Sequence, residues 1–361
     1  MKKGIAASLV VLFLLASCLV DAKLLLATPE TENTWTTKAP MPQTEGIGGA
    51  AAVNGKIYVM GRLFTYEYDP ATDNWVEKTP MPTPRATYGI AVYQNKIYAI
   101  GGSSGWTQET GTIYSGANEV YDPSTDTWET KEPMPTNRSV GASIVDGKIH
   151  LIGPDSHDVY DIATDSWTTG KVMPFSYPAW TVSSTVFHDK IYLLGGNETQ
   201  IYDAKNDAWS LGAATPIRVS TPGVCATTGV MALKRIYVFG GSVGFLNYTD
   251  VTQVYDPEND TWTLGAPMLT ARAGLTTAVV NDVIYAIGGE RYWGRTESAN
   301  EQYIPFGYGA PDPSYESPTA EPDNIIAGVE STVLVVASIT SAVLVGAGII
   351  VYIKKRKHQT E

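Results

Sequence analysis

Cysteine is nearly absent. The chain of 361 residues has two, Cys18 and Cys225, so no disulfide framework can hold it together. Four histidines (150, 157, 188 and 358) show no ligand spacing, and no cysteine-based metal site can be built. No cofactor is assigned. Charged residues make up only 17%, with 25 bases against 37 acids. Setting aside seven bases and two acids near the two ends leaves 18 against 35, about −17. A surface of that sign repels phosphate backbones and anionic headgroups, so no nucleic acid partner is expected. Helical periodicity is missing throughout the middle of the chain, and core packing between strands has to supply the stability.

The ends set the expected compartment. Lys2 and Lys3 precede an apolar run from Ile5 to Val20, the pattern of a secretory signal over 1–22. Two processing sites are written there. Val20-Asp21-Ala22 suits signal peptidase, while Leu15-Ala16-Ser17-Cys18 resembles a bacterial lipobox in which Cys18 would be lipidated. From Thr332 to Ile353 no residue is charged, and a helix of 22 residues spans roughly 30 Å, the thickness of a bilayer core. Lys354-Lys355-Arg356-Lys357 follows and acids flank the other side. This predicts a single C-terminal transmembrane helix over 332–353, a cytoplasmic basic tail over 354–361, and an extracellular chain at the cell membrane. Residues 306–331, with Pro311, Pro313, Pro318 and Pro322 among polar residues, predict a semi-extended stalk. The folded part is then 32–305, one large domain.

That domain repeats itself. "EYDPATDNWVEKTPMPTPR" (67–85), "VYDPSTDTWETKEPMPTNR" (120–138) and "VYDPENDTWTLGAPMLTAR" (254–272) are near copies with weaker echoes between. Tryptophans fall at 35, 75, 128, 167, 209 and 262, a period of roughly 40–50 residues that implies an array or a propeller. Each unit begins with a small-residue strand and a tight turn such as Asn54-Gly55 or Asp146-Gly147. A run like "KIYAIGG" follows, then a strand ending in Tyr-Asp, then one carrying the Trp and closing in Pro-Met-Pro or a relative. Four antiparallel strands per unit make a propeller blade. The Tyr and Trp are expected to fill the gaps between blades, and the Asp-Pro-x-x-Asp stretch to form the turn between the third and fourth strands.

At these residues the chain resembles the kelch repeat, through Gly-Gly doublets at 101–102, 195–196, 240–241 and 288–289 and a Tyr and Trp about seven residues apart. Gly61-Arg62 and Gly153-Pro154 depart from the doublet, and Tyr303-Ile304-Pro305 lacks the Asp. The resemblance covers 32–305 and implies an all-β fold, a six-bladed kelch-type β-propeller. Trp35 arrives before any other strand of its unit, and 271–305 supplies three strands without a Trp. Residues 32–42 are therefore expected to be the outer strand of the sixth blade, closing the ring from the N-terminus.

Function is sought in the loops. The glycine-to-Tyr connections are long in blades 2, 5 and 6, and in kelch propellers they share a face with the loops leading into each first strand. Four of those lead-in loops carry Arg85, Arg138, Arg218 and Arg272; the other two carry Thr44-Glu45 and Tyr177-Pro178. The long loops add Trp106, Phe245, Tyr292, Trp293 and Arg295, and Trp180 lies just inside blade 4. The expected ligand set is Arg85, Arg138, Arg218, Arg272, Trp106, Trp180, Tyr292 and Trp293. Guanidinium groups would grip a carboxylate or sugar and the aromatics would stack on it. Alternatively, the arginines serve the framework.

The function expected is a membrane-anchored, non-catalytic binding or adhesion module for a protein or glycan ligand. The alternatives are a structural envelope component and an exported carbohydrate-active enzyme, since the resemblance extends to six-bladed sugar epimerases. Catalysis would need a convergent acid or base, for which Glu109, His157, Glu198 and Glu290 are isolated candidates. A copper radical oxidase would need a Cys–Tyr crosslink and histidine ligands that this sequence does not offer. Four glycosylation sequons occur, at Asn137, Asn197, Asn247 and Asn259, with Asn247 the expected exposed acceptor. The short signal, the basic tail and the lipobox-like option favour a prokaryotic envelope.

Overall fold

A computed structural model describes residues 31–44, 47–176, 183–291 and 295–315. The repeated runs form strands, and hydrogen bonding groups them into six four-stranded antiparallel sheets. From the axis outward, blade 1 is Ile47–Val53, Lys56–Gly61, Thr65–Asp69 and Asn74–Lys78. Blade 2 is Gly89–Tyr93, Lys96–Ile100, Asn118–Asp122 and Thr127–Lys131, and blade 3 is Gly141–Val145, Lys148–Gly153, Ser156–Asp161 and Ser166–Thr169. Blade 4 is Ser183–Phe187, Lys190–Leu194, Thr199–Asp203 and Ala208–Gly212, and blade 5 is Gly223–Ala226, Ile236–Phe239, Thr252–Asp256 and Thr261–Leu264. Blade 6 takes Thr276–Val280, Val283–Ile287 and Asn300–Ile304 from the end of the domain and Thr34–Thr37 from its start. Trp35 stands opposite Tyr303 in that pairing, so the ring closes where the order of strands requires. First strands of successive blades lie side by side all the way round.

The turns between first and second strands follow from residues that tolerate positive φ. Asn54-Gly55 sits at 50° and 75°, and Asp146-Gly147 at 49° and 69°. These values suit the two-residue hairpins that match strand twist. Apolar packing is divided into six clusters, one per seam between neighbouring blades. The methionine of the Pro-Met-Pro closures lies in five of them: Met41, Met81, Met134, Met173 and Met268 are each buried against a neighbouring blade.

A polar clamp repeats at every seam. In blades 1 to 5 the buried tyrosine of the third strand donates its hydroxyl to a carboxylate five residues on: Tyr68 to Asp73, Tyr121 to Asp126, Tyr160 to Asp165, Tyr202 to Asp207 and Tyr255 to Asp260, at 2.5–2.8 Å. That same oxygen accepts a backbone N–H from one residue of the preceding blade, whose carbonyl accepts the Trp indole N–H. The residue gripped from both sides is Ala39, Thr79, Glu132, Lys171 or Ala213. The second Asp of each repeat is therefore a seam pin, a role beyond the turn-forming one read from sequence. These aspartates hold φ of 47–55°, a left-handed conformation that short polar side chains accept. The Tyr160 and Tyr255 hydroxyls hold the carboxyls of Asp165 and Asp260 below the usual range.

The first part of the expected stalk is folded against the propeller. Residues 306–315 fold back onto a loop, 227–235, that replaces the two-residue turn in blade 5. Leu233 N–H donates to Phe306 O, Gly309 N–H to Met231 O, and Asp312 N–H to Gly229 O, while the Asp312 carboxylate accepts from Lys234 N–H. Proline-rich composition signals stiffness but cannot show that a backbone has found partners. Asp282, itself buried, holds the same loop through Thr228, Met231 and Ala232. The expected signal (1–22), the remaining stalk (316–331), the helix (332–353) and the tail lie outside the described residues. No helix among the described residues is long and apolar enough to cross a membrane.

Candidate ligand face

The lead-in loops and the glycine-to-Tyr connections share one face, as short bridges between them show: Ala86 with Ser103, Gly196 with Val219, Ser220 with Ser242, and Ala273 with Glu290. The glycine doublet makes this approach possible. Gly240 and Gly241 hold φ of 59° and 98°, and a Cβ on Gly240 would lie 2.4 Å from the Arg272 carbonyl oxygen. Gly241 N–H donates to that same carbonyl, as Gly102 N–H does to Arg138.

The three long connections rise from this face as hairpins: Ser103–Thr107 with Gly111–Tyr114, Ser242–Gly244 with Asn247–Tyr248, and Glu290–Arg291 with Arg295–Thr296. They belong to blades 2, 5 and 6. Arg62 of blade 1 donates to Ser104 O and Thr296 hydrogen-bonds Thr44, which braces two of them against blade 1. Blades 1, 3 and 4 have short connections, so the rim is uneven, highest at blades 2, 5 and 6. Apolar side chains stand at the tips: Trp106 is 68% exposed and Phe245 93%, with Leu63, Ile113, Tyr114 and Val243 also exposed.

The four arginines do not act as one ring. Arg85 and Arg272 are fully buried. Arg85 pairs with Glu119 and donates to Thr83 O and Ala99 O; Arg272 pairs with Glu301 at 2.8 Å and donates to Thr270 O and Ala286 O. The expectation that they grip a ligand is corrected: they are framework residues with their charge answered inside the blade. Arg138 pairs with Asp158 but keeps some exposure, and Arg218 is exposed with no ion pair among the described residues. In blade 5 the buried position belongs to Val219, whose carbonyl accepts Gly196 N–H as those of Arg138 and Arg272 accept Gly102 and Gly241 N–H, and Arg218 stands one residue earlier. The residue two before the seam tyrosine differs as well. Where it is Glu119, Asp158 or Glu301, it holds the arginine of its own blade. Where it is glutamine, the amide grips lead-in backbone instead: Gln253 bonds both N–H and C=O of Ile217, and Gln200 does the same at Phe175. Arg218, in the Gln253 blade, is left outside. That pairing was a signal available in the sequence.

Trp106 stands on the face as expected. Trp180, Tyr292 and Trp293 lie outside the described residues, as do Glu45, Tyr177 and Pro178. Asn247 is exposed in its hairpin, whereas the Asn259 side chain is tied to Asp256. Among the acid–base candidates, Glu109 and Glu290 are exposed on separate blades and Glu198 is half-buried. His157 is buried in the seam between blades 3 and 4, hydrogen-bonded to His150 at 3.0 Å and to Lys171 O at 2.9 Å. Burial pushes the His150 pKa down to about 4, with His157 the next cause, and burial lowers that of His157 too.

Along the axis runs a channel of about 1360 Å³, lined by the first strands of all six blades. Its walls are small and uncharged, from Ala50 and Ala52 through Ser184 to Thr277. Arg138, Thr87, Ser139, Thr221 and Tyr114 surround the mouth on the hairpin face.

A family description, "Kelch motif", matches residues 84–135 and 227–269, which fall in blades 2 and 5. Among solved structures, one titled "Structure of YjhT" superposes with a TM-score of 0.63 at 16% identity, covering 73% of this chain and 96% of that one. No curated protein matches the sequence. The described chain is an all-β, six-bladed propeller that carries kelch motifs in blades 2 and 5.

Proposed function

We propose that the protein is a non-catalytic binding module, held at a cell surface by residues 332–353, that presents its hairpin face to a protein partner. The observation that carries this is the placement of exposed Trp106 and Phe245 on hairpins rising from one face. Residue 31 and residue 315 both lie at the opposite face, where Glu32 meets Gly307 and 306–315 covers the blade 5 loop. A tether leaving from that side would point the hairpins away from a membrane. Large aromatics are the side chains that most often anchor protein interfaces, and kelch propellers are commonly protein-binding modules. The mixed charge of the face, with Arg218 and Arg295 beside Glu109 and Glu290, suits a polar rim.

The test uses intact cells carrying the full chain. A tag after Glu361 is expected to be protected from external protease and a tag inserted after Tyr315 to be cleaved. Cleavage of the C-terminal tag would overturn the anchoring. Trp106→Ala with Phe245→Ala is expected to abolish cell-surface retention of the partner while leaving the fold intact.

A further inference from the structure

Blade 5 departs from the other five at one turn. Between first and second strands the others use two residues, 54–55, 94–95, 146–147, 188–189 and 281–282, whereas blade 5 uses 227–235. Strand pairing does not require the longer loop, since Ala226 faces Ile236 as Val53 faces Lys56. Yet the loop is firmly held. The buried Asp282 carboxylate of blade 6 accepts Thr228 N–H at 2.6 Å, the Thr228 hydroxyl at 2.8 Å, Met231 N–H at 2.7 Å and Ala232 N–H at 3.2 Å. Hydrogen bonds to an ionised carboxylate are among the stronger ones. On the other side the Lys234 ammonium lies 4.9 Å from the centre of the Phe187 ring in blade 4, and Arg235 pairs with Asp256 at 2.9 Å. One loop joins three blades.

Its remaining partners lie in 306–315, just past the last strand. The two segments run antiparallel, with Leu233 N–H on Phe306 O, Gly309 N–H on Met231 O and Asp312 N–H on Gly229 O. Asp312 is buried; its carboxylate accepts Lys234 N–H at 2.8 Å and lies 3.9 Å from the Arg235 guanidinium. Phe306 packs on the apolar cluster between blades 5 and 6, and Gly307 N–H donates to Glu32. A chain leaving the propeller directly at Ile304 would put any pull on the ring closure. Ile304 stands opposite Thr34, its carbonyl accepts Asn33 N–H, and the strand Thr34–Thr37 has no other neighbour in its sheet.

We propose that 306–315 and the loop 227–235 form a tension clasp, which passes a pull on the C-terminal tether to blades 4, 5 and 6 and keeps it off the closing strand. This rests on the anchoring by residues 332–353 proposed above. Before a pull from beyond Tyr315 reaches Ile304, the three backbone bonds and the Asp312 contacts have to part. The clasp explains why one turn is long, and why it is the turn of the blade beside the one that the chain leaves.

The test pulls single molecules of the full-length chain, solubilised in detergent and carrying Cys18→Ser, between two cysteine handles; Cys225 is buried. Glu109→Cys with Ser317→Cys loads the tether path. Glu109→Cys with Lys205→Cys crosses the propeller without it, both positions being exposed. Asp312→Ala is compared with the wild type on each path. On the tether path the variant is expected to lengthen early, by the roughly 36–40 Å that residues 305–315 add when extended, at about half the wild-type force or less. On the crossing path the two are expected to unfold at the same force. The tags in intact cells test the anchoring separately, so clasp and anchor can fail apart. Equal loss along both paths, loss of folding included, would make 306–315 ordinary ring stabilisation and overturn the clasp. An unchanged trace on the tether path would overturn it as well.

Discussion

The Tyr303 hydroxyl donates to Asn33 Oδ1 at 2.8 Å, joining residues 270 positions apart. Asn33 stands where the other five clamps have aspartate. It keeps the left-handed φ, at 54°, and accepts Ala266 N–H, while the Trp35 indole donates to Ala266 O. The sixth seam thus reproduces the other five with its parts drawn from both ends of the chain.

Asn33→Ala is expected to cost about 1–3 kcal/mol, because it leaves the Tyr303 hydroxyl and the Ala266 N–H without their acceptor. Removing residues 1–42 from a soluble form strips the outer strand and uncovers the edge of Asn300–Ile304. A sharply lower melting temperature is expected, measured by calorimetry. An unchanged melt would mean that the ring does not depend on this closure.

Arg85→Met should cost about 3–5 kcal/mol, since it strands Glu119 as a buried uncompensated charge. Arg218→Ala should stay within about 0.5 kcal/mol, as for exposed positions away from special features. Urea unfolding of the two variants separates framework from surface arginines. Equal losses would contradict the division between glutamate and glutamine blades.

The seam between blades 3 and 4 is expected to weaken in acid. His150 and His157 have folded pKa values below the ordinary 6.5, about 4 for His150. The unfolded chain then takes up protons near 6.5 while the folded chain resists until about 4. Stability is full above pH 6.5 and falls as pH drops from there toward 4. The Tyr–Asp clamps give way in a lower window: the depressed Asp165 and Asp260 lose their contribution only as pH falls below 3.8 and through their folded values. His150→Tyr with His157→Thr, the pair found in blade 4 as Tyr192 and Thr199, should flatten the melting temperature between pH 7 and 5. An unchanged slope would assign the loss elsewhere.

Much of this fold was legible because its signals are local and repeated. Gly-Gly, Tyr-Asp, Trp and Pro-Met-Pro each report one strand or one seam, and the misplaced Trp35 reports closure. The site was harder to read. Burial of Arg85 and Arg272 depends on Glu119 and Glu301, about thirty residues away, and a lead-in arginine looks the same whether its blade supplies glutamate or glutamine. Trp106 was legible as exposed because its loop is long and has no core to enter. The docking of 306–315 was not, because its partner is the irregular loop 227–235, which repeats nothing else in the chain.

Photo-crosslinking in intact cells tests the binding face most directly. A benzoyl-phenylalanine probe would replace Trp106 or Phe245 on the hairpins, or Val230 on the opposite face, all three exposed. Expected are discrete protein adducts at 106 and 245 and none at 230. Adducts at 230 alone, or equal adducts on both faces, would contradict the assignment of the hairpin face as the surface this protein offers to its partner.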